Sequence, residues 1–136
     1  MYLLDTNVIS ELRRQRPNRS VVRWIEGVPA AQLYISAVTI GEIQDGIEQI
    51  REREFYKATE IESWLNDVQA TYSVLPVDAD AFREWAKLMQ KQSRALLEDA
   101  LIAATAIVNS LTVVTRNVRD FERLSVPILN PFDHRE

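Results

Sequence analysis

Four acidic residues stand where chemistry can be organised. Asp5 follows directly on the apolar run Tyr2, Leu3, Leu4; Glu42 lies in a helix-patterned segment; Asp99 opens the apolar stretch 96–110; and Asp120 comes shortly after Thr115, Arg116, Asn117. The chain has no cysteine, and its single histidine, His134, lies in the tail. Thiolate nucleophiles, thiolate metal sites, zinc centres and Ser/His catalysis therefore have almost no material. What remains is a set of carboxylates at strand ends and helix starts, which points to a hard cation. Mg²⁺ or Mn²⁺ takes oxygen ligands, keeps several waters, and can bind a phosphate oxygen while activating a water for in-line attack. Phosphodiester hydrolysis is the reaction such a set suits. Taken singly, each acid also has a structural use: Asp5 as a helix cap, Asp99 as a complement to a helix dipole, Asp120 as a local turn partner. Glu42 lies roughly 120° from the middle of its helix's apolar stripe, so periodicity alone reads it as solvated.

The elements that must position these acids alternate. The run Tyr2, Leu3, Leu4 reads as a buried strand ending on Asp5, and Asn7 can cap a helix through Ile9 and Leu12 to about Arg14, which Pro17 ends. A helix over 20–26, a strand over 33–35 and a helix over 37–50 follow, with Ser36 as N-cap and a stripe of Ile40, Ile43, Ile47 and Ile50. A long helix over 51–72 carries Phe55, Ala58, Ile61, Leu65, Val68 and Tyr72 on one side. Val74, Leu75 and Val77, interrupted by Pro76, make a short edge strand, and Asp78 caps a helix through Phe82, Trp85 and Leu88 that ends near Gln92. The stretch 96–110 is apolar almost all round, and Ala100, Ala103, Ala104 and Ala106 permit close approach to a sheet. A strand over 111–114, a short helix containing Asp120 and Phe121, and a last strand at Val126, Ile128 and Leu129 complete the pattern. Strands alternating with helices predict an α/β fold, a parallel β-sheet flanked by α-helices on both faces. In such sheets ligands gather outside the carboxyl ends of the strands.

The chain of 136 residues fits one domain, with 46% hydrophobic and 26% charged residues and only three glycines and five prolines. No apolar run approaches the length of a membrane span, and the N-terminus lacks the basic start and long apolar stretch of a signal peptide; the expectation is a cytoplasmic protein with no membrane partner. Net charge is −4, which argues against indiscriminate attraction to phosphate backbones. Its distribution leaves two local basic patches. Arg13, Arg14, Arg16, Arg19 and Arg23 fall close together, and Arg83, Lys87, Lys91 and Arg94 recur at helical spacing. Either patch can also be read as an ordinary solvated helix face.

Four segments together carry a resemblance: Tyr2-Leu-Leu-Asp-Thr-Asn-Val-Ile-Ser-Glu11, Tyr34-Ile-Ser-Ala-Val-Thr-Ile-Gly-Glu-Ile43, Glu98-Asp-Ala-Leu-Ile-Ala-Ala-Thr-Ala106 and Val114-Thr-Arg-Asn-Val-Arg-Asp-Phe-Glu122, with the ending Leu129-Asn-Pro-Phe132. Across nearly its whole length the chain resembles the PIN-domain ribonucleases, especially the VapC and FitB type toxins of bacterial toxin–antitoxin pairs. The resemblance implies a single PIN-like domain over 1–136 in which Asp5, Glu42, Asp99 and Asp120 converge to hold Mg²⁺ or Mn²⁺, overriding the periodicity of Glu42. Thr6, Asn7, Thr115 and Asn117 would support them. It implies a metal-dependent endoribonuclease toxin, a cognate antitoxin whose tail blocks the site, and a homodimer or higher assembly. The basic residues Arg13, Arg14, Arg83, Lys87, Lys91, Arg94 and Arg116 would then guide RNA past an acidic pocket. Two alternatives are a housekeeping RNA-processing or DNA-directed nuclease on the same fold, and a nuclease-dead interaction module. The segment Gln92-Ser-Arg-Ala-Leu-Leu97 departs from the family pattern in lacking Gly and Pro.

Overall fold

Five short strands, β1 (Tyr2–Leu4), β2 (Leu33–Ser36), β3 (Ser73–Leu75), β4 (Thr112–Val114) and β5 (Ile128–Leu129), form one sheet in the order β3-β2-β1-β4-β5, with every adjacent pair parallel. The computed structural model describes residues 1–133, so His134 lies outside the described residues. Between the strands run α1 (Thr6–Leu12), α2 (Arg19–Glu26), α3 (Ala37–Ile50), α4 (Phe55–Thr71), α5 (Ala79–Leu88), α6 (Leu97–Val108) and α7 (Val118–Arg123).

Strand side chains alternate between faces, and the sheet uses this to build two cores. Leu3 and Val113 point into a cluster with Ala100, Ala103 and Ala106 of α6 and Phe121 of α7. Their neighbours Leu4 and Val114 point the other way, with Leu33 and Ile35, onto Val8 and Ile9 of α1 and Val21 and Trp24 of α2. Helices therefore cover both faces, as the alternation of elements requires. The small residues of α6 let it lie close: Ala100, Ala103, Ala104 and Ala106 are fully buried.

The chain builds β2 and β3 on one side of β1 and then crosses to place β4 and β5 on the other. The strand order thus reverses between β1 and β4, and a crevice opens outside their carboxyl ends. Leu4 pairs with Val114 in register, so the next residues, Asp5 and Thr115, face each other across that point.

Local chemistry sets most element boundaries. Ser36 Oγ accepts from Val38 N at 3.1 Å and Asp78 Oδ1 from Ala81 N at 2.9 Å, so both serve as N-caps. The cap of α1 is Asp5, not Asn7: Asp5 Oδ1 accepts from Thr6 N at 2.8 Å. The amide of Asn7 is engaged elsewhere, with Asp5 Oδ2 and Thr115 Oγ1. The long helix expected from residue 51 starts only at Phe55, because the Arg51 guanidinium bridges Glu48 (2.7 Å) and Glu62 (2.9 Å) and fixes a turn between α3 and α4. Phe55 is 57% exposed instead of facing the core. Val77 and Val126 fall outside β3 and β5. The helix α5 ends at Leu88, followed by separate 3₁₀ turns at Met89–Lys91 and Arg94–Leu96. Arg83 and Lys87 share α5, whereas Lys91 and Arg94 leave it, and the four-residue basic face does not form.

Candidate active site

The Asp5 carboxylate is 5% exposed and held by donors from three directions. Oδ1 takes the Thr6 N–H, while Oδ2 takes the Thr115 hydroxyl at 2.8 Å and the Asn7 amide at 3.2 Å. Each of these bonds favours the charged form, yet burial outweighs them and raises the Asp5 pKa above its ordinary value.

Thr115 passes the connection on. Its hydroxyl oxygen accepts from Asn117 N at 2.9 Å, and the Asn117 side-chain amide then donates to Asp99 Oδ2 at 3.2 Å and to Asp120 Oδ2 at 2.9 Å. A single amide group thus draws two carboxylates from α6 and α7 together. The start of α6 is fixed from below, where Trp85 of α5 donates its indole N–H to the Leu97 carbonyl at 3.2 Å. Burial, with the nearby Asp5, Asp120 and Glu98 carboxylates, pushes Asp99 up to about 6.

Glu42 enters from α3. The Thr6 hydroxyl stands 3.3 Å from Glu42 Oε1 and 3.0 Å from the buried Thr39 Oγ1 as a donor, and its one proton serves one of them at a time. Burial raises Glu42, the Glu98 and Asp5 carboxylates raise it further, and the Thr6 hydrogen bond opposes them; the net result is about 7. The apolar stripe of α3 packs against α4 through Ile47, Ala58 and Leu65. Glu42 lies off that stripe, half-buried among the other acids and not in free solvent.

Two contributors escaped the sequence reading. Thr39, one helical turn before Glu42, supports Thr6. Glu98 adds charge beside both Glu42 and Asp99 and lines a cleft of about 460 Å³ with Glu42 and Asp45. The adjacent acids Glu98 and Asp99 in the first turn of α6 were the available signal.

The other candidates divide. Asn7 and Arg116 are joined, since the Arg116 backbone N–H donates to Asn7 Oδ1 at 3.2 Å, and the Arg116 guanidinium lies 4.4 Å from the Phe132 ring centroid. Arg13 and Arg14 flank clefts at the end of α1. No described contact brings Arg83, Lys87, Lys91 or Arg94 to the acids.

Among the described residues, no Lys or Arg lies within 4.0 Å of the Asp5, Glu42, Asp99 or Asp120 carboxylates. The cluster's charge is opposed by burial and by like charges, and among the described residues no cation balances it. Such a donor set, all oxygen and short of a cation, fits a hard divalent ion in kind. It is not a closed cage: among the described residues no three acidic, His or Cys side chains are arranged to hold an ion unaided. An ion held there would take its remaining ligands from water or substrate, the habit of Mg²⁺.

Comparison with known proteins agrees with this fold. The PIN domain family matches residues 2–127. A VapC ribonuclease, Y4jK, of Sinorhizobium fredii is 36% identical over 98% of this chain and 99% of its own length. The toxin FitB of Neisseria gonorrhoeae is 34% identical over 97% and 99%. Among solved structures, FitAcB from Neisseria gonorrhoeae superposes with a TM-score of 0.88 at 31% identity, covering 98% of this chain and all of that one. A toxin–antitoxin complex from Klebsiella pneumoniae gives 0.71 at 27% identity, covering 96% and 98%. A family match over nearly the whole chain and relatives similar from end to end give one conclusion: this chain belongs to the PIN-domain family.

Proposed function

We propose that this protein is a divalent-metal-dependent endoribonuclease, the toxin of a type II toxin–antitoxin pair, acting as a single domain. The observation that carries the reading is the convergence of Asp5, Glu42 and Asp99, each with a raised pKa and, among the described residues, none with a cationic partner, at the strand-order reversal between β1 and β4. Asp5 and Asp99 hold the ion, with Glu42 and Asp120 completing its surroundings or orienting a water; Mg²⁺ or Mn²⁺ suits these donors. When bound, such an ion polarises a phosphate oxygen and lowers the pKa of a coordinated water. The chain's own groups do the positioning. Thr6, Asn7 and Thr115 hold the Asp5 oxygens, and Asn117 holds Asp99 and Asp120. Glu42, raised to about 7 by burial and by the neighbouring carboxylates in the metal-free site, gives up its proton more readily once a cation balances those charges.

The names of its relatives, a VapC ribonuclease and the toxin FitB, support RNA as substrate, and the likeness to a toxin–antitoxin complex supports an antitoxin partner. A homodimer or higher assembly belongs to the same reading. Among the described residues no helix is long and apolar enough to cross a membrane. The test is cleavage of RNA by purified, antitoxin-free protein. It should proceed with Mg²⁺ or Mn²⁺, stop in excess EDTA, and be lost in Asp99→Ala. Undiminished cleavage in EDTA, or by Asp99→Ala, would refute the reading.

A further inference from the structure

We propose that Thr39 is a positioning residue for the acid cluster: its buried hydroxyl donates to Thr6 Oγ1, commits the Thr6 proton to Glu42 Oε1, and so holds that carboxylate with Oε2 free. The inference rests on the reading of Glu42 as one acid of a cation site, and adds to it the direction of a hydrogen-bond chain and the residue that sets it.

Three oxygens share two protons. Thr6 Oγ1 lies 3.0 Å from Thr39 Oγ1 and 3.3 Å from Glu42 Oε1, and at that first separation either hydroxyl can be the donor. Thr39 is 0% exposed, so its proton does not go to bulk water. Among the described residues Thr39 Oγ1 has no hydrogen-bond partner besides Thr6 Oγ1, and Glu42 has no donor besides Thr6. Donation from Thr6 to Thr39 would leave the Thr39 proton buried without an acceptor and would take from Glu42 its donor. Donation from Thr39 to Thr6 leaves the Thr6 proton for Glu42 and pairs every group. Because an unpaired buried donor is costly, the second arrangement prevails.

The later helical threonines show what Thr39 forgoes. Thr59, Thr71 and Thr105 each return their proton to the carbonyl four residues back, of Phe55, Asp67 and Leu101, at 3.0, 2.8 and 2.9 Å. Thr39 sits in the first turn of α3, and the residue four back, Ile35, belongs to β2 and pairs with β1 and β3 in the sheet. The Thr39 hydroxyl turns across to α1 instead. Valine has nearly the same shape and would fill this buried position with no polar group to satisfy, so packing alone does not account for a threonine here.

The chain of hydroxyls ties two elements to a pair of acids. Thr39 and Glu42 stand three apart, on one face of α3, and the Thr6 side chain meets both, while the Thr6 backbone N–H holds Asp5 Oδ1 at 2.8 Å. Thr6 thus bridges Asp5 and Glu42, and Thr39 fixes where its proton points; hydrogen bonds in such a series strengthen one another. Among the described residues Glu42 Oε2 accepts no hydrogen bond and is the oxygen left to face a cation.

The test compares Thr39→Val and Thr39→Ser with the parent in two readouts: Mn²⁺ affinity without RNA, from the electron paramagnetic resonance of the free ion, and kcat and KM for cleavage of an oligoribonucleotide at saturating Mn²⁺. Thr39→Val, shown by circular dichroism to be folded, should bind Mn²⁺ about fivefold more weakly and lose about fivefold in kcat with KM unchanged, the share of one hydrogen bond. Thr39→Ser should stay within about twofold of the parent. In Thr6→Val, which has no hydroxyl to direct, adding Thr39→Val should change neither readout. Donation in the opposite direction predicts the opposite sign, since removing Thr39 Oγ1 would then release the Thr6 proton to Glu42. If Thr39→Val does not fold, Thr39→Ala is read in the same way. Mn²⁺ affinity and kcat equal to or above the parent's, or a loss that persists undiminished in Thr6→Val, would overturn the role of Thr39 and leave the nuclease reading standing. A parent that binds Mn²⁺ with these losses but never cleaves RNA supports the role and refutes the nuclease reading; a parent that binds no Mn²⁺ refutes the cation site and the role with it.

Discussion

The Thr115 hydroxyl donates to Asp5 Oδ2 at 2.8 Å, joining residues 110 positions apart across the reversal point of the sheet. Thr115 is fully buried, and its oxygen also accepts the Asn117 backbone N–H and the Asn7 amide. One hydroxyl therefore satisfies three groups. Thr115→Val keeps the shape, orphans the Asn117 backbone N–H and takes one donor from Asp5 and one acceptor from Asn7, which should cost about 1–3 kcal/mol in denaturant unfolding and reduce RNA cleavage. Thr115→Ser keeps the hydroxyl and should retain most of both. An undiminished Thr115→Val beside a damaged Thr115→Ser would show that only the methyl group matters.

Asn117 bridges Asp99 and Asp120 with one amide. Groups that orient metal ligands typically contribute 10- to 100-fold to affinity or activity. Asn117→Ala should therefore lower the rate of RNA cleavage by about that factor, and excess Mn²⁺ should restore part of it, since the acids themselves remain. A loss that no metal concentration relieves would place the role of Asn117 in folding.

Much of this arrangement was legible in the sequence. An apolar run ending on Asp5 announced a strand-end carboxylate, and Ser36 and Asp78 announced helix caps, because strands and caps are set by nearest neighbours. Glu42 was not legible from periodicity, which registers only whether a residue lies on an apolar stripe. Its surroundings come from α1 and α6, elements distant in sequence, and the family resemblance supplied what the pattern could not. The Asn7 cap failed for a related reason: two residues could accept from the same turn, and Thr115, 108 positions away from Asn7, decides which one is free to do so. The basic face from Arg83 to Arg94 assumed an unbroken helix, and the turns after Leu88 break it.

Stability should respond to pH in a direction unusual for carboxylates. Glu42 is raised from 4.5 to about 7 and Asp99 from 3.8 to about 6, so the folded protein holds these protons more tightly than the unfolded chain. The contribution is full below the unfolded values and is lost as pH rises through the folded ones. Without metal, the thermal midpoint should fall as pH rises from about 5 to about 8, and Glu42→Gln with Asp99→Asn should flatten that fall. Saturating Mg²⁺ should stabilise most at the upper end, because it binds the ionised acids. A midpoint that rises steadily over this range in the parent, unchanged in the double variant, would contradict the clustered charges.

The central claim is that Asp5, Glu42, Asp99 and Asp120 act together as a cation site, and direct titration with Mn²⁺, followed by the electron paramagnetic resonance of the free ion, tests it without reference to RNA. The parent should bind Mn²⁺ at neutral pH and release it as the pH falls through about 6. Asp99→Asn keeps the hydrogen bond from Asn117 by turning its amide oxygen toward the donor; it should remain folded and bind Mn²⁺ at least roughly tenfold more weakly. Equal Mn²⁺ binding by the parent and folded Asp99→Asn, or no binding by either, would contradict the account.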